Sequence, residues 1–148
     1  NDDAVTFLSS SLTINRNQIN QLNLNQTTYY VKTLNLSDSY KSDEIARIRV
    51  FIEEKNREVA YVKKPLEKKS QVYNNVHYIV RDFISGDIII PFNKTDNSNK
   101  LSSDSNGMYF DFYMDSLPRG RLYVFDFLIV IDGYDNVIMD SASKFIVE

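Results

Sequence analysis

Carboxylates in the C-terminal part of the chain are the residues best suited to catalysis. Two suitably spaced carboxylates are enough for glycoside hydrolysis, one acting as acid and the other as base or nucleophile. Alternation along the chain, however, places Asp111 and Asp115 on the polar face of a strand, where a solvated carboxylate is ordinary. We therefore expect no catalytic residue and keep a small hydrolase only as an alternative. The carboxylates are Asp111, Asp115, Asp126, Asp132, Asp135 and Asp140.

Metal binding has two possible sources in this sequence. The polar stretch 93–106 carries the oxygen ligands that calcium prefers, but it lacks the register and closing glutamate of an EF-hand. A zinc site would have to use the single histidine, His77, because the chain contains no cysteine. His77 falls inside a predicted strand, where an imidazole is usually a satisfied or half-exposed structural residue. We expect no metal and no cofactor. The calcium candidates are Asp96, Asn97, Asn99, Asp104 and Asn106.

The elements that carry the carboxylates and His77 are predicted to be β-strands. Apolar and polar residues alternate with period two along them, which is typical of a strand with one buried face. Met108, Phe110, Phe112 and Met114 point to one face of a strand, and Tyr109, Asp111, Tyr113 and Asp115 point to the other. About seven to nine strands at this spacing favour an all-β fold, an antiparallel two-sheet sandwich. The predicted strands are 28–36, 45–52, 76–84, 87–92, 108–114, 121–131, 137–139 and 144–147, with a turn at Ser85-Gly86 and a long loop over 93–106.

Composition narrows the class of protein. The chain has 148 residues, enough for one domain, and a formal net charge of −3 from 17 basic and 20 acidic side chains. This charge is too small for a typical nucleic-acid binder, although the lysines at 63, 64, 68 and 69 form one basic cluster. The absence of a long apolar run argues against a membrane span. We expect no nucleic acid, membrane or small-molecule substrate as partner.

The first 26 residues differ from the rest and are predicted to be an N-terminal arm or a first strand, followed by a sandwich over 27–148. They are rich in Ser, Asn and Gln, with short alternating apolar pieces that can order against a partner. Asn1 is neither an initiator Met nor part of a signal peptide, so we expect a processed chain or a segment of a longer product. The predicted partner contacts are Leu12, Ile14, Ile19, Leu22, Leu24, Tyr109 and Tyr113.

One local motif is typical of a particular kind of sandwich. Leu117 and Gly120 precede Tyr123, which opens a predicted strand. This spacing resembles the tyrosine corner of immunoglobulin-like domains, in which the Tyr hydroxyl bonds to backbone a few residues upstream. The alternative is an ordinary Pro-Gly turn before a strand with a core tyrosine. We predict that Leu117, Gly120 and Tyr123 form a structural tyrosine corner.

Six segments of the sequence carry a likeness to a known family: 40–44, 47–51, 80–82, 89–92, 100–111 and 114–117. They resemble a domain of virion structural proteins from large tailed bacteriophages. The resemblance covers roughly residues 27–147, and its most specific part is 101–117. It implies an immunoglobulin-like sandwich on a capsid, neck or tail, located in the virion, that binds other virion proteins and copies of itself without an active site. The alternative is an adhesion or carbohydrate-binding module, suggested by the tyrosine content and the long 93–107 loop.

Overall fold

A computed structural model describes residues 28–55, 70–140 and 143–148. In these ranges the chain forms ten β-strands and one turn of 3-10 helix, Met114–Ser116. No helix in the described ranges is long and apolar enough to cross a membrane. The strands are β1 Tyr29–Thr33, β2 Ser39–Tyr40, β3 Ile45–Glu54, β4 Val76–Asp82, β5 Ile88–Ile90, β6 Ser102–Asp104, β7 Gly107–Tyr113, β8 Leu122–Ile131, β9 Tyr134–Ile138 and β10 Lys144–Val147.

The strands form two sheets. One has four strands in the order β1-β3-β7-β6, and the other has the order β2-β10-β8-β4-β5. β9 also pairs with β8, so that β10 and β9 follow one another along the same side of that strand. The fold is therefore all-β with two sheets, as predicted. The expectation of purely antiparallel pairing is wrong at one place, since β2 and β10 are parallel. The chain crosses from the four-stranded to the six-stranded sheet between β1 and β2. There β2 runs in the same direction as β10, its neighbour.

The core lies between the two sheets and is rich in aromatic rings. The predicted inward face of β7 is confirmed, because Met108, Phe110 and Phe112 are buried. The Phe110 ring stacks on Tyr78 of the other sheet with centroids 4.2 Å apart and meets Phe125 edge-on at 5.0 Å. Such ring pairs contribute about 0.5–1.5 kcal/mol each beyond their buried area. These contacts pack the sheets face to face.

The middle of the six-stranded sheet is buried on both faces. Tyr123, Phe125 and Phe127 of β8 face the core, and Val124 and Leu128 on the opposite face are also buried. A strand covered on both faces carries a nearly continuous apolar run instead of clean alternation. The sequence of β8 has this character, interrupted by a single carboxylate.

Several predicted strand boundaries differ from those of the structure, and two of the differences have clear physical reasons. The first predicted strand ends at Thr33 because the Asn35 side chain replaces a backbone partner: its amide donates to Arg47 O and its oxygen accepts the Arg49 N–H, both at 2.7 Å. The predicted loop 93–106 contains β6, a three-residue strand of exposed polar side chains. A strand so short and polar has no apolar pattern from which it could be predicted.

Candidate protein-contact surface

The outward face of the four-stranded sheet carries a continuous set of aromatic and charged side chains. Successive side chains of a strand point to opposite faces of the sheet. In β3, Ile48, Val50 and Ile52 point into the core, so the residues between them in the sequence point outward. We call this face the tyrosine-arginine face. Its members are Tyr30, Lys32, Ile45, Arg47, Arg49, Phe51, Asp104, Tyr109, Asp111 and Tyr113.

Two bidentate ion pairs hold the arginines of this face in place. Arg47 Nε and Nη2 contact the Asp111 carboxylate at 2.7 and 2.8 Å. Arg49 Nη1 and Nη2 contact Asp104 at 2.9 and 2.8 Å. Fork-shaped pairs of this kind fix geometry as well as charge. The hydrogen bonds from Arg49 lower the pKa of Asp104 to about 2, and those from Arg47 lower the pKa of Asp111.

Tyr109 lies beneath both guanidinium groups. The Cζ atoms of Arg47 and Arg49 are 4.5 and 5.5 Å from its ring centroid, within the range of a cation–π interaction. Tyr109 is therefore half-buried within its own domain. Tyr113, by contrast, is 57% exposed and lies opposite the equally exposed Ile45. Of the two predicted contact tyrosines, Tyr113 has the freer ring.

A second aromatic group extends the face onto β1. The Tyr30 and Phe51 rings meet edge-on with centroids 6.4 Å apart, and Lys55 Nζ lies 5.9 Å from the Tyr30 centroid. The contact residues predicted from the sequence did not include Tyr30 or Phe51. The signal was present, because alternating residues of adjacent strands share a face.

Tyr123 lies at the entrance to β8 with its ring fully buried. Its Oη donates a hydrogen bond to Pro118 O at 2.7 Å, and its ring packs against Phe145 with centroids 5.8 Å apart. Burial raises the pKa of the Tyr123 hydroxyl. Leu117 is buried in the core. Gly120 adopts a positive φ of 76° and its N–H donates to Val147 O at 2.8 Å.

Three of the predicted late carboxylates are bound to cations of this chain. Asp111 pairs with Arg47, and Asp135 with Lys94. Asp126 is buried, with Arg81 Nε at 2.7 Å from one oxygen and the Asp140 N–H at 2.9 Å from the other. Carboxylates held in this way act as structural partners.

The calcium candidates are likewise used within their own loop and strands. Asp96 accepts the Ser98 N–H at 2.8 Å, and Asp104 is bound to Arg49. The buried Asn99 amide donates to Tyr78 O at 3.2 Å. Within 28–55, 70–140 and 143–148, no group of three or more His, Cys, Asp or Glu residues could hold a metal ion.

His77 differs from the expectation for a satisfied strand histidine. It is 3% exposed, and its Nδ1 has no hydrogen-bond partner. Burial lowers the pKa of the imidazole, and the charges of Lys100 and Lys94 lower it further. An imidazole in this position is stable in its neutral form.

The five apolar residues predicted as arm contacts, Leu12, Ile14, Ile19, Leu22 and Leu24, lie outside the described residues, as does the lysine cluster of 63–69. No protein-family profile, curated protein or solved structure matches the chain. The tyrosine-arginine face must therefore be interpreted from its own chemistry.

Proposed function

We propose that this chain is a non-enzymatic structural protein that acts through protein–protein contacts in the particle of a large tailed bacteriophage. The observation that carries the proposal is the tyrosine-arginine face, an exposed sheet surface on which arginines are already oriented by carboxylates. Tyr and Arg are the residue types most enriched among the energetic anchors of protein interfaces. The position in a capsid, neck or tail rests on the resemblance of the sequence to virion proteins.

The ordered arginines support a contact role. Binding requires the immobilisation of long side chains, which costs about 0.5–1.5 kcal/mol for each flexible side chain. Asp111 and Asp104 already hold Arg47 and Arg49, so this cost is largely met before a partner arrives. The exposed Tyr113 and Ile45 beside them provide apolar area. A preorganised face of this composition fits a protein partner that carries apolar and acceptor groups.

We further propose that the two sheets form an immunoglobulin-like sandwich. The order β1-β3-β7-β6 corresponds to strands A, B, E and D of that fold, and β10-β8-β4 corresponds to G, F and C. The bond from Tyr123 to Pro118 supports the assignment of Leu117, Gly120 and Tyr123 as a tyrosine corner, since β8 then takes the place of strand F.

The carbohydrate-binding alternative receives less support from this face. A sugar usually stacks on an open aromatic ring, and the guanidinium groups of Arg47 and Arg49 lie over Tyr109. Tyr113 is open, but Tyr30, the other exposed tyrosine of this face, meets the Phe51 ring edge-on. A glycan array separates the two functions: binding that Tyr113→Ala abolishes would establish the carbohydrate function, and a blank array supports the protein-contact function.

The direct test is mass spectrometry of purified phage particles whose genome encodes this chain. We expect the protein at a fixed copy number in the particles. Its absence from particles, together with its presence in the infected-cell lysate, would overturn the virion proposal.

A matched pair of variants tests the contact face in the same particles. Tyr113→Ala removes an exposed ring from the tyrosine-arginine face, and Ile84→Ala removes a 79% exposed side chain from the turn after β4. We expect lower incorporation of the first variant only. Equal incorporation of both would show that this face does not carry the contact.

A further inference from the structure

The outer edge of β9 has no paired strand among the described residues, although β1 of the other sheet lies close to β9. β8 has β4 on one side, and β10 and β9 share its other side. β2 pairs with the far edge of β10 through Ser39 and Tyr40. Within the described ranges, β2 does not extend along the outer edge of β9. Beside this half of β8 the six-stranded sheet therefore ends at Tyr134–Ile138, which lies in line with β10.

The backbone of β9 offers hydrogen-bonding groups along this edge. Asp132 and Gly133 both have positive φ, 51° and 81°, which is typical of a two-residue type I′ hairpin turn. In such a hairpin the flanking pair exchanges hydrogen bonds and the next pair does not. Asp135 and Val137 consequently direct their N–H and C=O groups away from β8. A hydrogen bond of β8 supports this pattern. Val130 lies opposite Asp135, and its N–H donates to Asn75 O on the β4 side and so points away from β9.

The side chains do not protect this edge as they protect others. β5 is followed by Pro91, and β6 has three exposed polar residues, two common ways of blocking strand addition. Along β9, in contrast, Val137 is 56% exposed and the adjoining Met139 is 65% exposed. The only charge on the strand, Asp135, is paired with Lys94.

A groove runs beside this edge. It is open, has a volume of about 440 Å³, and is lined by Thr28, Tyr29 and residues 135–139. Thr28, the first described residue, lies at the rim of the groove, and 27 residues precede it in the sequence. The length and the starting point of this segment indicate which strand could occupy the edge.

Resting on the proposed contact function, we propose that residues 12–24 of a second copy of this chain add a strand to the outer edge of β9. Leu12-Thr13-Ile14 and Leu22-Asn23-Leu24 alternate, so a strand formed there presents apolar side chains to Val137 and Met139 while its backbone pairs. Arg16 is the only charge in the segment. An extended segment of 26 residues spans up to about 85 Å. A domain of this size has a radius of gyration of about 14 Å, so the segment is long enough to reach a neighbouring copy.

The first test removes one donor from the edge of the full-length chain. Val137→Pro deletes an N–H that faces away from β8, so it blocks an added strand without breaking the β8–β9 ladder. Ser103→Pro makes the same substitution in the middle of β6, an edge strand of the other sheet whose side chains are exposed and polar. Light scattering after size exclusion is expected to show an oligomer for the native chain and Ser103→Pro, and at least a tenfold weaker association for Val137→Pro.

The second test identifies the occupant. A photo-crosslinking residue in place of Tyr134, which is 76% exposed beside the edge, is activated in a mixture of isotopically light and heavy full-length chains. We expect crosslinks to residues 12–24 of the opposite isotope. Crosslinks found exclusively within one isotope, or an oligomer that Val137→Pro leaves intact, would overturn the inference. In either case, incorporation into particles that depends on Tyr113 would leave the proposed function standing.

Discussion

Arg81 and Asp126 form an ion pair on the outer side of the six-stranded sheet, on neighbouring strands in its middle. Arg81 Nε and Nη2 lie 2.7 and 3.2 Å from the two Asp126 oxygens. The Asp126 side chain is 1% exposed and that of Arg81 is 13% exposed. One of these oxygens also accepts the Asp140 N–H that follows β9. The pair joins β4, β8 and the connection between β9 and β10.

Asp126→Ala is expected to lower the free energy of unfolding by roughly 3–5 kcal/mol, because it leaves the Arg81 charge buried without a partner. Urea unfolding followed by circular dichroism measures the loss. The double variant Arg81→Met with Asp126→Leu is the control, and it should recover most of the stability because no lone charge remains. A loss below about 1 kcal/mol in Asp126→Ala would show that water or a nearby group replaces the carboxylate.

Tyr123→Phe tests the hydrogen bond at the entrance to β8. The variant keeps the buried ring and removes only the Oη that donates to Pro118 O, so a loss of about 1–2 kcal/mol in unfolding free energy is expected. Tyr113→Phe, which alters an exposed hydroxyl, should leave the free energy unchanged. Equal values for the two variants in urea titrations would refute a structural role for the Tyr123 hydroxyl.

Stability should also fall in strong acid because of Asp104. Its pKa is lowered from 3.8 to about 2, so in the folded state the carboxylate binds a proton less readily than in the unfolded chain. The resulting stabilisation is present above about pH 4 and is lost as the pH falls toward 2. Thermal unfolding at pH 7, 4, 3 and 2 is expected to show a shallower decline for Asp104→Asn than for the exposed Asp43→Asn. Parallel declines would contradict this role.

His77 gives a pH dependence of the same sign at milder pH. Its folded-state pKa lies below 6.5, so the unfolded chain takes up a proton first and stability falls as the pH drops below 6.5. Lys94, Lys100 and Asp135 are the charged groups that act on it. His77→Leu should flatten the urea midpoint between pH 7 and pH 5. A midpoint that still falls equally in this variant would assign the effect to another group.

The sequence allowed the core to be predicted better than the surface. Alternation in β7 identified Phe110 and Phe112 as buried because a sheet with one solvated face separates apolar from polar residues by position. The same alternation placed Tyr109 and Asp111 outward. It gave no information on partners: that Arg47 binds Asp111 and Arg49 binds Asp104 depends on the register between β3, β7 and β6, which no local pattern specifies.

Other features depend on contacts between distant parts of the chain. Asn35 ends β1 by bonding to residues of β3, and the unsatisfied Nδ1 of His77 depends on what packs around β4. The Tyr123 hydrogen bond differs from these, because its acceptor, Pro118 O, is only five residues away and a local pattern can indicate it. Side chains whose partners come from other strands leave no such local pattern.

The parallel pairing of β2 with β10 has a mechanical consequence. These two strands lie near opposite ends of the described chain, and backbone bonds join them, from the Ile146 N–H to Asp38 O and from the Glu148 N–H to Tyr40 O, both at 2.9 Å. Tension applied between residue 39 and residue 148 would pull two parallel strands past each other and load these bonds together, in shear. The fold therefore resists stretching along the line that joins its two ends.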